Sequence, residues 1–243
     1  MRLVRFFLAY VKSNFQIALE YRVSFWALFF AQFPVVQNYA FRDVITVWSL
    51  AALSVGLATG FFGNCWRYAG LVARGGPDFF LVLPKPALFH LIISSMSVSA
   101  WGDVLFGLLA YAGLARPSPG EFALFLGLSL AATAVVVAYA ILANALAFWL
   151  GNAEGFSQQL LNAMVTFSLY PSALFSGAVK VLLFTVLPAG FIAYVPVELL
   201  REWNWALALA LGGAAAGGLA LATVVFYAGL RRYESGNLLA MRG

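Results

Sequence analysis

The group in this chain best suited to chemistry is a carboxylate inside an apolar segment. Asp103 lies within the long apolar stretch 86–115, with Ser95 and Ser99 preceding it at intervals of four. On a helix, positions four apart share a face, so Ser95, Ser99 and Asp103 predict a polar stripe. A carboxylate at membrane depth costs on the order of 2.5–3.5 kcal/mol on insertion scales, so it must face protein or water. Two roles are open to it: the wall of a substrate or proton path, or an interhelical link capped by serines or a neighbouring tyrosine. A single acid makes a poor relay, which favours the link.

Other chemistry is excluded by counting. One cysteine, Cys65, forbids an intrachain disulfide and a cysteine-based zinc site, and one histidine, His90, forbids every His-pair metal motif. The serine–glycine pairs, Ser176-Gly177 and Ser235-Gly236, are preceded two residues earlier by Leu174 and Tyr233 rather than glycine, so no intramembrane serine protease is expected. No Gly-Lys-Ser/Thr occurs, so no Walker-type loop cradles a phosphate. No clustered His, Asp or Glu suggests a lipid-modifying enzyme. The expectation is a non-enzyme that binds no metal or cofactor itself and takes any energy from a partner.

The loop 67–87 offers a different kind of site. Gly75-Gly76-Pro77 breaks one helix, and Pro77 with Asp78 suits the start of another. Phe79, Phe80, Leu81, Val82 and Leu83 follow, closed by Pro84-Lys85-Pro86. This predicts a short amphipathic helix held beside the membrane between two stops: a knob for a soluble partner, or a simple interfacial turn. Asp78 would start it, Phe79, Phe80 and Leu81 would offer apolar surface, and Arg74 would be free for a partner's carboxylate. Adjacent helical residues point about 100° apart, so the sequence does not say which phenylalanine faces outward.

The elements that must position these residues are apolar helices. The chain has 243 residues, 63% hydrophobic and 9% charged, against about a quarter charged in an ordinary soluble domain. Its mean hydropathy is +0.91. An all-α polytopic membrane protein is expected, folded as a single domain over 1–243. Spans are read at about 23–41, 45–66, 88–114, 122–150, 160–177 and 203–230, with turns such as Arg116-Pro117-Ser118-Pro119-Gly120-Glu121 between them. Residues 2–22 place Arg2, Arg5, Lys12, Ser13, Gln16 and Glu20 within an arc of about 100°, which predicts an interfacial amphipathic helix rather than a span or a cleaved signal. Segment 178–200 holds Pro188 and Pro196 between Lys180 and Glu198, and is read as a pair of re-entrant half-helices. Gly56 with Gly60, and Gly212–Gly218, are small-residue faces for close helix approach.

Charge orients the drawing. With six spans and the amino terminus inside, the cytoplasm receives ten of the 14 Lys+Arg: Arg2, Arg5, Lys12, Arg22, Arg67, Arg74, Lys85, Arg231, Arg232 and Arg242. Arg42, Arg116, Lys180 and Arg201 fall outside. A seventh span would erase this bias, so six spans with both termini cytoplasmic are expected. The net charge of +5 is read as topology marking, with no nucleic-acid partner.

The loop resembles the coupling loop of type 2 ABC-transporter permeases, where a Gly-x-x-acid-x-x-Leu-x-x-Pro pattern follows the second span; here these are Gly75, Asp78, Leu81 and Pro84. The chain is similar over most of its length to a subfamily of six-span uncharacterised transport-system permeases. Matching pieces are Glu20-Tyr21-Arg22, Gly102-Asp103, Phe148-Trp149, Tyr170-Pro171, Pro188, Pro196 and the run from Gly229 to Gly236. It departs at Gly76, where an acid is common, and at Leu83, where a base is usual and Lys85 is displaced beyond the proline. The resemblance implies the permease subunit of an ATP-driven exporter in the bacterial inner (plasma) membrane, working by alternating access. It further implies two cytosolic ABC ATPase subunits that bring ATP and Mg, and a second permease copy or a sister permease. The competing reading is a stand-alone secondary transporter or channel, against which stand the single intramembrane acid and the absence of internal repeats.

Overall fold

Runs of apolar, helix-compatible residues bounded by Gly, Pro and charge give helices, and among the described residues every regular element is helical. The computed structural model describes residues 41–82, 84–170 and 175–233. The expected interfacial helix 2–22 and nearly all of the first expected span, 23–41, lie outside them, as do Leu83 and the residues after Tyr233.

Helix α1 (Phe41–Phe61) is followed by a 3-10 turn (Gly63–Trp66) and α2 (Tyr68–Ala73). The one-turn α3 (Asp78–Leu81) and α4 (Ala87–Ile93) come next, then α5 (Ala100–Ala110), which ends in a π-helical turn over Tyr111–Ala115. The long α6 (Pro119–Ala145) starts on a capping box: Ser118 Oγ accepts from the Glu121 N–H while the Glu121 carboxylate accepts from the Ser118 N–H. After α7 (Ala147–Leu150) and α8 (Glu154–Ser168) come α9 (Gly177–Thr185), a π turn (Gly190–Tyr194), α10 (Val195–Arg201) and α11 (Trp205–Leu230), capped by Asn204.

Among the described residues three helices are long and apolar enough to cross a membrane: Phe41–Phe61, Pro119–Leu150 and Trp205–Leu230. The pair Gly177–Thr185 and Gly190–Arg201 would add a fourth as one bent span. Contacts nonetheless define two ends for the bundle of described helices. At one, Arg42 pairs with Glu121 (2.9 Å), and Arg201 grips Asp43 through Nε (3.0 Å) and Nη2 (2.7 Å). At the other, Arg74 reaches Glu154 (3.7 Å), and Arg232 lines the same cavity. The run 87–115 links the second end to the first, and α8 does so too, since Gln158 donates to the Trp66 carbonyl (2.7 Å) and Leu169 accepts from Trp48 (3.1 Å).

Two expected spans differ in detail. The span read as 88–114 is broken between α4 and α5. Four serines fall within Ser94–Ser99, and hydroxyls that bond nearby backbone compete with the helical ladder. Ser94 Oγ bonds the Leu91 carbonyl (2.8 Å), and Asn64 bonds both that carbonyl (3.2 Å) and Ser94 (2.5 Å). The span read as 160–177 is instead Glu154–Ser168: Gly151 turns with a positive φ of 71°, and Ser157 Oγ ties the new helix back to the Ala143 carbonyl (2.8 Å). Its end anticipates Pro171, which disfavours helix in the residue before it. Segment 178–200 forms two limbs bent by 79°. Its second limb packs Val195 and Leu199 against Leu128 and Val135 of α6, and delivers Arg201 to Asp43.

The core lies along α6. Tyr111 stacks on Phe125 with ring centroids 3.9 Å apart. Ser54 Oγ donates to the Ser129 carbonyl (3.3 Å) and Thr133 Oγ1 to the Ser54 carbonyl (3.4 Å), so small hydroxyls link α1 to α6 where apolar burial alone gives little drive within lipid.

Candidate functional site

The loop 67–87 is built from its base upward. Buried Asn144 of α6 is 1% exposed and makes three hydrogen bonds. Its Oδ1 accepts from the Ala69 N–H (3.0 Å), and its Nδ2 donates to the carbonyls of Cys65 (3.1 Å) and Ala140 (3.0 Å). Tyr68 donates to the Ile141 carbonyl. Together with Gln158, these groups fix the 3-10 turn and α2 against α6 and α8. Above that base, Gly75 adopts φ 77°, a conformation that suits glycine and ends α2. Pro77 is buried, and its carbonyl accepts from Phe80 (2.9 Å) and Leu81 (3.2 Å), which opens α3.

Geometry separates the two phenylalanines. Phe80 is 7% exposed and meets the His90 ring edge-on at 5.3 Å, so it anchors α3 to α4. Phe79 is 64% exposed, and Leu81 and Val82 are exposed beside it. Asp78 is half-buried at the helix start, and Pro84 is exposed after it. Arg74 stands largely solvated, and its guanidinium reaches Glu154 within the chain at 3.7 Å. This draws the 151–154 turn into the same surface. A cavity of about 550 Å³ lies between them, lined by Arg74, Asn152, Glu154, Arg232 and Tyr233.

Ser95, Ser99 and Asp103 do not form one continuous stripe, because the helix breaks ahead of α5. Ser95 accepts from Arg67 Nη2 (3.1 Å). Ser99 and Asp103 line a cavity of about 420 Å³, together with Thr59 of α1, Ser97, and Asn162 and Thr166 of α8. Ser97 and Ser99 bond each other through their hydroxyls (3.0 Å). The cavity therefore gathers hydroxyls, an amide and a carboxylate from three segments into one polar wall.

A family model for ABC-2 family transporter proteins matches residues 17–236. The chain belongs to that family. No curated protein and no solved structure matches it. As an ABC-2 family protein it is the membrane-embedded permease subunit of an ABC transporter, not itself catalytic, rather than a stand-alone carrier or channel.

Sequence reading of this ABC-2 chain passed over Asn144, Gln158 and Glu154. Asn144 carried a signal, being a lone amide deep in the charge-free run 122–153, where a polar group needs partners. Glu154 had no such signal. Its neighbour across space, Gly70, would drive a Cβ to 2.6 Å from its carboxylate, a closeness visible only in the fold. Among the described residues no group of three His, Cys, Asp or Glu is placed to hold a metal ion.

Proposed function

We propose that this subunit is an exporter permease of six spans. In this reading the end bearing α3 faces the cytoplasm, and a separate ATPase drives the subunit through the 67–87 loop. Orientation is supported by charge: Arg67, Arg74, Lys85, Arg231 and Arg232 stand against Asp78 and Glu154 at that end, whereas Arg42, Arg116 and Arg201 stand among Asp43, Glu121, Glu198 and Glu202 at the other. Cytoplasmic ends carry the Lys/Arg excess. The runs 87–115 and α8 complete the crossings that length alone leaves out, and the bent pair dips inward from the outer end and returns to it.

The observation that carries the coupling reading is an exposed phenylalanine backed by a buried one. Phe79 projects from a one-turn helix that Phe80, His90 and the Asn144 base hold rigid. An aromatic on a fixed support is the form interface anchors take. Two ATPases would dock on two such loops, one from each permease of a pair, and bring ATP and Mg with them. When the ATPases close, α3 moves, and α4 passes that motion to the Ser94–Ser99 break, which walls the Asp103 cavity. Gly75, Asp78, Leu81 and Pro84 shape the knob; Arg74 acts through Glu154. The cavity with Ser99 and Asp103 is the surface offered to cargo as access alternates.

Copurification of the ATPase with single variants tests this. Phe79→Ala should weaken capture by about 2 kcal/mol, the scale of an interface anchor, while the permease keeps its thermal midpoint. Phe80→Ala should lower that midpoint, because a buried ring leaves a cavity. Full ATPase capture and full transport-stimulated hydrolysis by Phe79→Ala would refute the assignment.

A further inference from the structure

A groove of about 460 Å³ lies between the second half of α6, the corner joining α9 to the following π turn, and α11. Its walls are apolar, with Val135, Leu146, Pro188, Leu221 and Val225 among them. Two lining residues carry hydroxyls: Thr185 donates its own to the Val181 carbonyl (2.9 Å), whereas Tyr139 is 8% exposed, and its hydroxyl is shielded and has no hydrogen-bond partner. Buried hydroxyls are nearly always paired, and leaving one unpaired is costly. Tyr68 and Tyr194 obey the rule, each donating to a main-chain carbonyl. Tyr139 does not, and it stands at a groove.

Depth and size narrow what would complete it. Tyr139 lies about 27 Å along α6 from Glu121, at about 1.5 Å per residue, and a hydrocarbon core is about 30 Å thick. With Glu121 at one membrane edge, Tyr139 sits just inside the other, at the level where acyl chains join their ester groups. The groove volume is roughly that of one helical turn (10–12 Å wide and 5.4 Å long), too small for a spanning helix and ample for a flexible chain. Its walls offer nothing to a charged or strongly polar ligand.

We propose that the groove holds an acyl chain of a resident membrane diester lipid from the leaflet at the Arg74 end. The Tyr139 hydroxyl donates to the ester carbonyl, and the chain lies under the corner at Phe184 and Pro188. Gly190 makes the corner compact enough to cover it, since a Cβ there would meet the Phe184 ring at 2.5 Å. This inference is independent of the coupling reading: it concerns another face of the bundle and no ATPase contact.

The test uses the full chain in nanodiscs of phosphatidylethanolamine and phosphatidylglycerol carrying a trace of a diester phospholipid with a diazirine near the chain end. After illumination, labelled peptides are mapped. Wild type should be labelled in the segments around Phe184–Phe191 and Leu221–Val225. Tyr139→Phe, which removes one oxygen, should reduce that labelling about 2- to 12-fold, the worth of one hydrogen bond. A diether analogue, lacking the carbonyl, should label wild type and Tyr139→Phe alike. Leu221→Trp, which fills the groove, should suppress labelling with either probe. Equal diester labelling of wild type and Tyr139→Phe would overturn the proposal, as would labelling that survives Leu221→Trp. Cross-linking that places residues 23–41 or a second copy of the chain in the groove would overturn it too.

Discussion

Helices α1 and α11 are both apolar, glycine-containing and long enough to span, yet they are used in opposite ways. In α1, 67% of the most apolar window is buried inside the chain; in α11 the share is 17%. At Gly56 an added Cβ would fall 2.9 Å from the Val104 nitrogen and 3.1 Å from the Ala100 carbonyl oxygen. Across the same crossing, a Cβ on Gly107 would sit 2.8 Å from the Ser49 carbonyl oxygen and 2.9 Å from the Leu53 nitrogen. In α11, by contrast, Gly212, Gly213 and Gly217 have nothing within 4 Å of a Cβ; Gly218 meets Ala138 at 3.2 Å, and Gly229, at the far end of the helix, meets the Phe148 side chain rather than a backbone. Glycine in α1 and α5 brings two backbones together. In α11 it leaves most of one face bare.

The sharpest way to break this contrast is Gly107→Leu. The obstructing atoms are backbone, which cannot rotate away, so α1 and α5 must separate. Overpacking typically costs about 1–3 kcal/mol, and a whole leucine at a backbone crossing lies at or above the upper end. The expected result is loss of the monodisperse species in detergent, read by fluorescence-detected size exclusion. A wild-type profile and melting midpoint would mean that the crossing is not as tight as drawn.

Next in size is Gly56→Ala, which adds a single methyl at the same crossing. The closest atoms again include backbone, but the displacement needed is a few tenths of an ångström. A loss of about 1–3 kcal/mol is expected, seen as a midpoint lowered by several degrees with the profile retained. Gly60→Ala is the internal control: its nearest neighbours lie 3.9 Å away, so it should leave the midpoint unchanged.

The contrast also marks how far the sequence could be read. Composition and the charge-free runs at 44–66, 122–153 and 203–230 were enough for the three long helices, because insertion into lipid depends on length and apolarity alone. Gly75, Pro77 and Asp78 announced a helix restart, and α3 begins at Asp78. The break at Ser94–Ser99 escaped an apolarity reading because serines are tolerated in spans; what turns them into a break is Asn64 and Arg67, which reach across from the previous segment. Likewise, Gly56 and the Gly212–Gly218 run look equivalent as small-residue patterns. Only Gly56 meets its counterpart, since Gly107 lies far along the chain in a helix without a glycine run of its own. For the same reason the split between Phe79 and Phe80 was invisible: it depends on where His90 stands.

The smallest expected effect is the most informative about assembly. Gly213→Ala puts a methyl where the chain itself offers no contact, so nothing in the isolated subunit opposes it. Alanine is a better helix former than glycine by about 1 kcal/mol in helix interiors, so the midpoint of the detergent-solubilised subunit should hold or rise slightly. The same variant measured in the assembled transporter then reads the neighbour of that face. If lipid covers it, the shift matches that of the isolated subunit, because acyl chains accommodate a methyl. If another helix covers it at close range, the assembled form loses stability while the isolated subunit does not, and the α11 glycines would then do between chains what Gly56 and Gly107 do within one. We expect the matching shift: Leu209, Leu221 and Val224 stand exposed on the same helix, and bulky side chains around bare glycines suit lipid better than a close backbone crossing. A midpoint that falls in the isolated subunit itself would defeat the contrast at its root, since it would require a contact to Gly213 within the chain.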